Sequence, residues 1–219
     1  MLTIKEMYDL SHSLAGEYLS GFAYAWEALE GISALIKKLG SELDPSEYDR
    51  LGEDIWIAKS AVVAPTALIA GPCIIGPGTE VRHCAFIRGS ALVGSGCVVG
   101  NSTELKNVIL FDKVQVPHYN YVGDSILGYK AHMGAGSITS NVKSDKLPVF
   151  IRDGGQKLAT NRKKVGAMIG DEAEIGCNAV LNPGTVIGRQ AIVYPTSCVR
   201  GLVPQRHIHK VSGELIARE

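Results

Sequence analysis

From Ile57 onward, an aliphatic or aromatic residue falls on every sixth position: Ile57, Val63, Ile69, Ile75, Val81, Ile87, Val93, Val99, Leu105 and Phe111. Four residues after each comes a mostly small side chain, as at Ala61, Ala67, Cys73, Thr79, Ala85, Ala91, Cys97 and Thr103. The beat returns at Tyr121, Leu127 and Met133, and again at Ile169, Ile175, Leu181, Ile187, Val193 and Val199. One such unit cannot fold alone, because a short strand buries its single apolar residue only when neighbouring coils stack on it. The spacing therefore predicts a solenoid.

Residues 3–40 obey a different rule, with Met7, Leu10, Leu14 and Leu19, then Trp26, Leu29, Ile32 and Ile36, at helical spacing. Lys37, Lys38 and Gly40 read as a helix stop, and Ser41, Asp44 and Pro45 as a turn. Tyr18 and Trp26 are expected to pack against the main domain. The expected division is a helical N-terminal extension over 1–50, a solenoid over 51–206 and a C-terminal tail over 207–219.

The repeating unit, an aliphatic residue followed by glycine or alanine and then by a small residue at the fifth place, resembles the hexapeptide acyltransferase superfamily. That resemblance implies a mainly β fold, a single-stranded left-handed parallel β-helix with three hexads per coil. The left hand runs against the usual crossover preference and comes from the resemblance, not from the periodicity.

Two interruptions stand out. A phase slip over residues 116–120 contains Pro117 and His118, and residues 141–164 are predicted to leave the wall as an extruded loop. Extruded segments of solenoids commonly line the binding face. This one carries Lys143, Lys146, Arg152, Lys157, Arg162, Lys163 and Lys164 against Asp145 and Asp153, which suits either a solvated loop or contact with the phosphates of a nucleotide or coenzyme. With three hexads to a coil, Arg88 and Lys106 (106 − 88 = 18) stand one above the other at a strand spacing of about 4.8 Å. Like charges so close are unfavourable unless an anion, or a carboxylate such as Glu104 or Asp112, neutralises them.

Composition narrows the partners. Lys plus Arg and Asp plus Glu balance at 22 each, so no net field draws the chain to nucleic acid or to an anionic membrane. No apolar run approaches the roughly 18 residues of a membrane span. Five cysteines, an odd count, predict reduced thiols in a cytoplasmic protein, with cysteine serving as core filler. Small molecules and copies of the chain itself remain as partners.

The stretch His118-Tyr-Asn-Tyr-Val-Gly-Asp-Ser-Ile-Leu-Gly, followed by Met133-Gly-Ala-Gly-Ser-Ile-Thr-Ser-Asn141, closely resembles the acetyltransferase half of the bifunctional N-acetylglucosamine-1-phosphate uridyltransferases. It is still more similar to archaeal sugar-1-phosphate nucleotidylyltransferases with an amino-sugar acetyltransferase domain, which share Arg162-Lys-Lys-Val-Gly-Ala-Met-Ile-Gly-Asp171. The resemblance implies an acetyl-CoA-dependent N-acetyltransferase acting on an amino-sugar 1-phosphate, with His118 as general base. It implies that Arg88, Lys106, Tyr121 and Asn141 bind the acceptor, and that the Ala135 amide lies near the thioester. It implies a homotrimer, with Lys163, Lys164 or Arg200 meeting the CoA phosphates. His132 stands where the bacterial family has an acceptor-binding asparagine, which leaves a nucleotide-linked amino sugar as an alternative acceptor.

Nothing in these residues resembles the glycine-rich phosphate loop of a nucleotidyltransferase, so a separate nucleotidyltransferase is an expected partner. Two rival readings remain at this stage. One is a zinc enzyme using His83, His118 and His132, although no metal site is expected here; the other is a non-catalytic trimeric scaffold.

Overall fold

Alternation along a strand turns one residue inward and the next outward. The computed structural model, which describes residues 1–218, stacks the repeat into a prism of three parallel walls. The first wall consists of Leu68–Ile69, Phe86–Ile87, Ile138–Thr139, Val180–Leu181 and Cys198–Val199, with the leading halves of two long strands, Glu104–Leu110 and Tyr121–Leu127. The trailing halves of those strands bend into the second wall, beside Ile55–Ala58, Cys73–Ile75, Ala91–Val93, Ala167–Ile169, Thr185–Ile187 and Leu202–Val203. The third wall runs from Val62–Val63 through Gln115–His118 and His132–Met133 to His207–His209. The chain is a left-handed parallel β-helix with a helical N-terminal extension.

Coils step by 18 residues where Ile57, Ile75 and Val93 stack, and by 17 where Val93, Leu110 and Leu127 do. The missing residue lies at the corner between the first and second walls, where Lys106-Asn107 replaces Arg88-Gly89-Ser90 and Asn107 adopts a φ of 55°. Asparagine tolerates this left-handed conformation, so the corner tightens at little cost. No slip occurs at 116–120, contrary to the expectation above: Gln115, Val116 and His118 pair in order with Val98, Val99 and Asn101. Tyr121 is also reassigned. Val122 is the inward residue, opposite Leu105, while Tyr121 lies opposite Glu104 on the outer face.

The same corner, between Ile138–Thr139 on the first wall and Ala167–Ile169 on the second, releases residues 141–164. They fold into an antiparallel hairpin, Phe150–Asp153 with Gln156–Ala159, that lies back on the second wall and buries Val149 and Ile151. The corner shortens once more near Gly201, where the step from Ile187 to Val203 falls to 16. That shortening hides the last repeat from sequence inspection. Residues expected to form a tail instead continue the third wall, as His207–His209 pairs with Ile192–Val193 and Leu215–Ala217 folds back against it.

The second wall is apolar on both faces. Its outward residues Ile74, Leu92, Ile109, Ile126, Met168 and Val186 are as buried as the inward ones, each worth about 1.5–3 kcal/mol. The cover is the N-terminal extension, in which short helical pieces Ile4–Met7, Leu10–His12, Gly16–Ser20 and Ala25–Glu30 precede one regular helix, Ile32–Glu42. Gly40 does not stop that helix. It faces the Trp56 ring, where a Cβ would approach to 2.3 Å, so glycine here sets how closely the helix lies on the wall. Trp26 is buried as expected, and the half-buried Tyr18 donates its hydroxyl proton to the Ala28 carbonyl at 2.7 Å. Asp171 ties the extension down: its carboxylate accepts from the Asp9 amide at 2.7 Å and the Tyr129 amide at 2.8 Å and pairs with Arg189 at 3.0 Å.

Cysteine as core filler holds only for Cys73 and Cys97. Cys84, Cys177 and Cys198 sit at outward or corner positions and are exposed. Among the described residues no helix is long and apolar enough to cross a membrane.

Candidate active site

The outer face of the first wall, like that of the third, stays partly exposed, unlike the covered second wall. Phe86, Glu104, Tyr121 and Ile138 form one column across it. Arg88, Lys106, Gly123 and Ser140 follow two residues on, nearer the corner that opens into the second wall. The stacked cations expected there are present, and each has a carboxylate partner. Arg88 Nη1 meets Glu104 Oε1 at 2.8 Å, and Lys106 Nζ meets Asp124 Oδ1 at 2.9 Å. Asp112, the other carboxylate considered, is engaged elsewhere, accepting from the Ser95 amide at 2.7 Å.

Asp124 is the residue that spacing arguments missed. Only 3% of its side chain is exposed, and it accepts from Asn107 Nδ2 at 2.9 Å and Asn141 Nδ2 at 2.6 Å as well as from Lys106. A buried carboxylate is tolerable only with such a full set of donors. Asn141 also donates to the Tyr121 hydroxyl at 3.2 Å. Arg88, Glu104, Tyr121, Lys106, Asp124 and Asn141 thus form one patch along the wall. Burial raises the Tyr121 phenol, helped by the nearby Glu104 and Asp124 carboxylates, so it is a neutral hydroxyl at physiological pH. The Glu104 hydrogen bond raises the Arg88 pKa further.

His118 ends its strand at the corner where the third wall meets the first, three residues before Tyr121. Its backbone is fixed and its ring is free. The amide donates to Asn120 Oδ1 at 3.1 Å, and the carbonyl accepts from the Gly136 amide at 3.0 Å. Asn120, buried and also missed from sequence, anchors the corner by donating to the Gly134 and Ser137 carbonyls at 2.8 and 3.1 Å. The imidazole is exposed and has no hydrogen-bond partner among the described residues. One coil further, Ala135 is half-buried, and its amide has no acceptor among the described residues, whereas its carbonyl accepts from Asn178 at 2.8 Å. An open imidazole and an unengaged amide therefore flank one corner, beside the patch on the first wall.

The remaining candidates are scattered. His132 faces outward on the third wall and pairs with Glu174 at 2.8 Å, away from the patch. Lys163 and Lys164 line a groove of about 550 Å³ with Lys106, Asn107, Arg162 and Glu30. Arg200 lines a different groove, so the three residues do not form one cradle within the chain. Of the zinc candidates, His83 is engaged by the Thr66 hydroxyl at 2.7 Å and Cys84 Sγ at 3.2 Å, and no three His, Cys, Asp or Glu side chains converge among the described residues.

Known proteins resemble parts of this chain. Residues 69–144 match the family model described as the GMPPB C-terminal domain. The chain is 29% identical to a bifunctional protein GlmU of Methanococcus maripaludis over 97% of its own length and 53% of that protein. It is 32% identical to a bifunctional sugar-1-phosphate nucleotidylyltransferase/acetyltransferase of Sulfurisphaera tokodaii over 49% of this chain and 27% of the relative. The chain thus spans about half or less of the relatives it matches. A variant of GDP-perosamine N-acetyl transferase from Caulobacter crescentus, solved with CoA and GDP-perosamine, is 20% identical, covering 85% of this chain and 66% of that one, with a TM-score of 0.34.

In sequence the chain is similar to hexapeptide-repeat proteins of the acyltransferase kind. More particularly, it resembles the acetyltransferase part of the GlmU-type and archaeal sugar-1-phosphate nucleotidylyltransferase/acetyltransferase proteins.

Proposed function

We propose that the chain is an acetyl-CoA-dependent N-acetyltransferase acting on an amino-sugar 1-phosphate. The observation that carries this reading is the corner itself: an exposed, unengaged His118 ring and a free Ala135 amide beside a polar patch on the first wall. In direct transfer, the sugar amine attacks the thioester carbonyl as His118 takes its proton. The new C–N bond forms, the C–S bond breaks, and CoA leaves as the thiol. The Ala135 N–H supports the oxygen on which charge develops. No covalent enzyme intermediate is needed.

The two cations take different roles. Arg88–Glu104 is a half-exposed pair, 51% and 31%, weakened by solvent screening, so a substrate phosphate displaces Glu104 at small cost. Lys106 is held by the buried Asp124 and keeps its place. Arg88 is then the phosphate anchor, whereas Lys106, Tyr121 and Asn141 orient the sugar. With the second wall covered, the first and third walls remain for association, and we take the assembly to be a homotrimer that works beside a separate nucleotidyltransferase. A second reading, transfer to a nucleotide-linked amino sugar, is favoured by the groove at Lys106, Arg162, Lys163 and Lys164, whose 550 Å³ exceeds the needs of one phosphate.

The deciding experiment measures CoA thiol release with a panel of amino sugars, free, 1-phosphorylated and nucleotide-linked, for the native chain and His118→Ala. Turnover that requires the 1-phosphate and is lost in His118→Ala is expected. Equal rates with the free sugar would remove the role given to Arg88, and undiminished turnover in His118→Ala would remove the base.

A further inference from the structure

His118 is not the only imidazole on its edge of the prism. Two coils earlier the same corner carries His83. Asn101, the strand partner of His118, joins the two by donating from Nδ2 to the His83 carbonyl at 3.0 Å. At about 4.8 Å per coil the two histidines stand roughly 10 Å apart along the edge. The earlier ring is not free: Nδ1 meets the Thr66 hydroxyl at 2.7 Å, and Nε2 meets Cys84 Sγ at 3.2 Å. We propose that Cys84, His83 and Thr66 form a nucleophilic thiol site that takes an acyl group from a thioester and holds it as an S-acyl cysteine, separate from direct transfer at His118.

The fold accounts for the backbone at this corner and leaves the sulfur unexplained. The chain turns there in the left-handed region, with φ of 58° at Cys84, 52° at Ser102 and 52° at Tyr119. Three unlike side chains satisfy the same turn in successive coils, so the turn does not require a thiol. Nor does packing, since Thr66, His83 and Cys84 are all exposed, unlike Cys73 and Cys97 in the core. The other exposed thiols, Cys177 and Cys198, have no imidazole partner among the described residues, and Cys198 accepts instead from Asn182 Nδ2 at 3.2 Å.

The contacts supply the parts that a thiol nucleophile needs: an attacking atom, a base within hydrogen-bond reach and a third group that orients the base. Thr66 Oγ1 also accepts from the Cys84 amide at 3.3 Å, so one hydroxyl braces both members of the pair. With its proton on Nδ1, directed at that oxygen, His83 presents a basic Nε2 to the thiol. Nε2 takes the proton, and the thiolate, which is the reactive form, attacks the thioester carbonyl carbon. The donor C–S bond breaks as the new C–S bond to Cys84 forms, and the departing thiolate recovers the proton from His83. One thioester is exchanged for another, so the step needs neither oxidant nor reductant.

The claim rests on the transfer reading only for its natural donor, acetyl-CoA, and a coenzyme-free thioester tests it apart from that reading. The full chain is incubated with S-acetyl-N-acetylcysteamine, without amino sugar, and acetylation of each cysteine is followed by peptide mass spectrometry. Cys84 is expected to acquire the acetyl group about tenfold faster than Cys177 and Cys198 in the same molecule. His83→Gln should bring it down to their rate. Thr66→Val should slow it and Thr66→Ser restore it, with thermal melting unchanged in all three variants. Equal rates at the three exposed thiols, or an undiminished Cys84 rate in His83→Gln, overturn the proposal. His118→Ala is expected to acetylate at Cys84 like the native chain, and loss of the modification there would overturn it as well. Acetylation by the small thioester but not by acetyl-CoA upholds the thiol site and counts against acetyl-CoA as donor in the transfer reading.

Discussion

The first and second walls are made of the same repeat and differ in one position per strand. On the second wall the outward residue is Ile74, Leu92, Ile109, Ile126, Met168 or Val186, and the extension and hairpin bury it. On the first wall the corresponding places hold Phe86, Glu104, Tyr121 and Ile138, with Arg88 and Lys106 alongside, and all of these stay partly or largely exposed. The inward residues hold the prism together on both walls. The outward residue decides whether a wall is a packing surface or a working one.

The contrast is most sharply tested at the edge that carries the proposed base. His118→Ala is expected to lower acetyl transfer by about 10²- to 10⁴-fold with thermal melting unchanged, since its ring is exposed and makes no hydrogen bond among the described residues. A comparable fall in melting temperature would mean that the corner is structural. Next in size, Ile109→Ala on the covered wall should cost about 2–4 kcal/mol in chemical denaturation, whereas Glu104→Ala on the open wall should cost no more than about 1 kcal/mol. Equal costs would erase the distinction between the walls.

Asp124→Ala joins the two behaviours, because it removes a buried group from the open wall. Three donors lose their acceptor, for a stability loss of about 1–3 kcal/mol. Lys106 and Asn141 lose their common support, so KM for the acceptor should rise more than kcat falls; an unchanged KM would make Asp124 purely structural. The smallest effect concerns thiols. Burial pushes Cys97 up to about 12 and Cys73 higher still, so both remain protonated at pH 8. A thiol reagent at that pH should modify Cys84, Cys177 and Cys198 in the native chain and all five cysteines only after unfolding.

The inward beat was readable from sequence because every stacked coil needs the same apolar residue, and that demand fixes the fold class. Residues placed by backbone geometry were harder to see. Asn107 tightens its corner by one residue, but the hydrophobic pattern registers the loss only later, which is why a slip was expected near His118 and why Tyr121 looked like a core position. The covered wall left its mark as apolar doublets, such as Ile74-Ile75, Leu92-Val93 and Ile109-Leu110, which a one-residue-per-hexad reading passes over. Asp124 had no signal of its own, since its importance lies in donors 17 residues before and after it. Residues named through family resemblance divide likewise: Arg88, Lys106, Tyr121 and Asn141 share one patch, while His132 and Arg200 lie elsewhere.

Every change of coil length falls on a single edge of the prism: the residue dropped at Asn107, the hairpin of 141–164, and the tightening at Gly201. The edge beside His118 keeps strict count, its pairings in step on both sides. One edge is thus a ruler and the other an adjustable seam. Chain can be let out or taken in along the seam while the corner that carries the imidazole keeps its register.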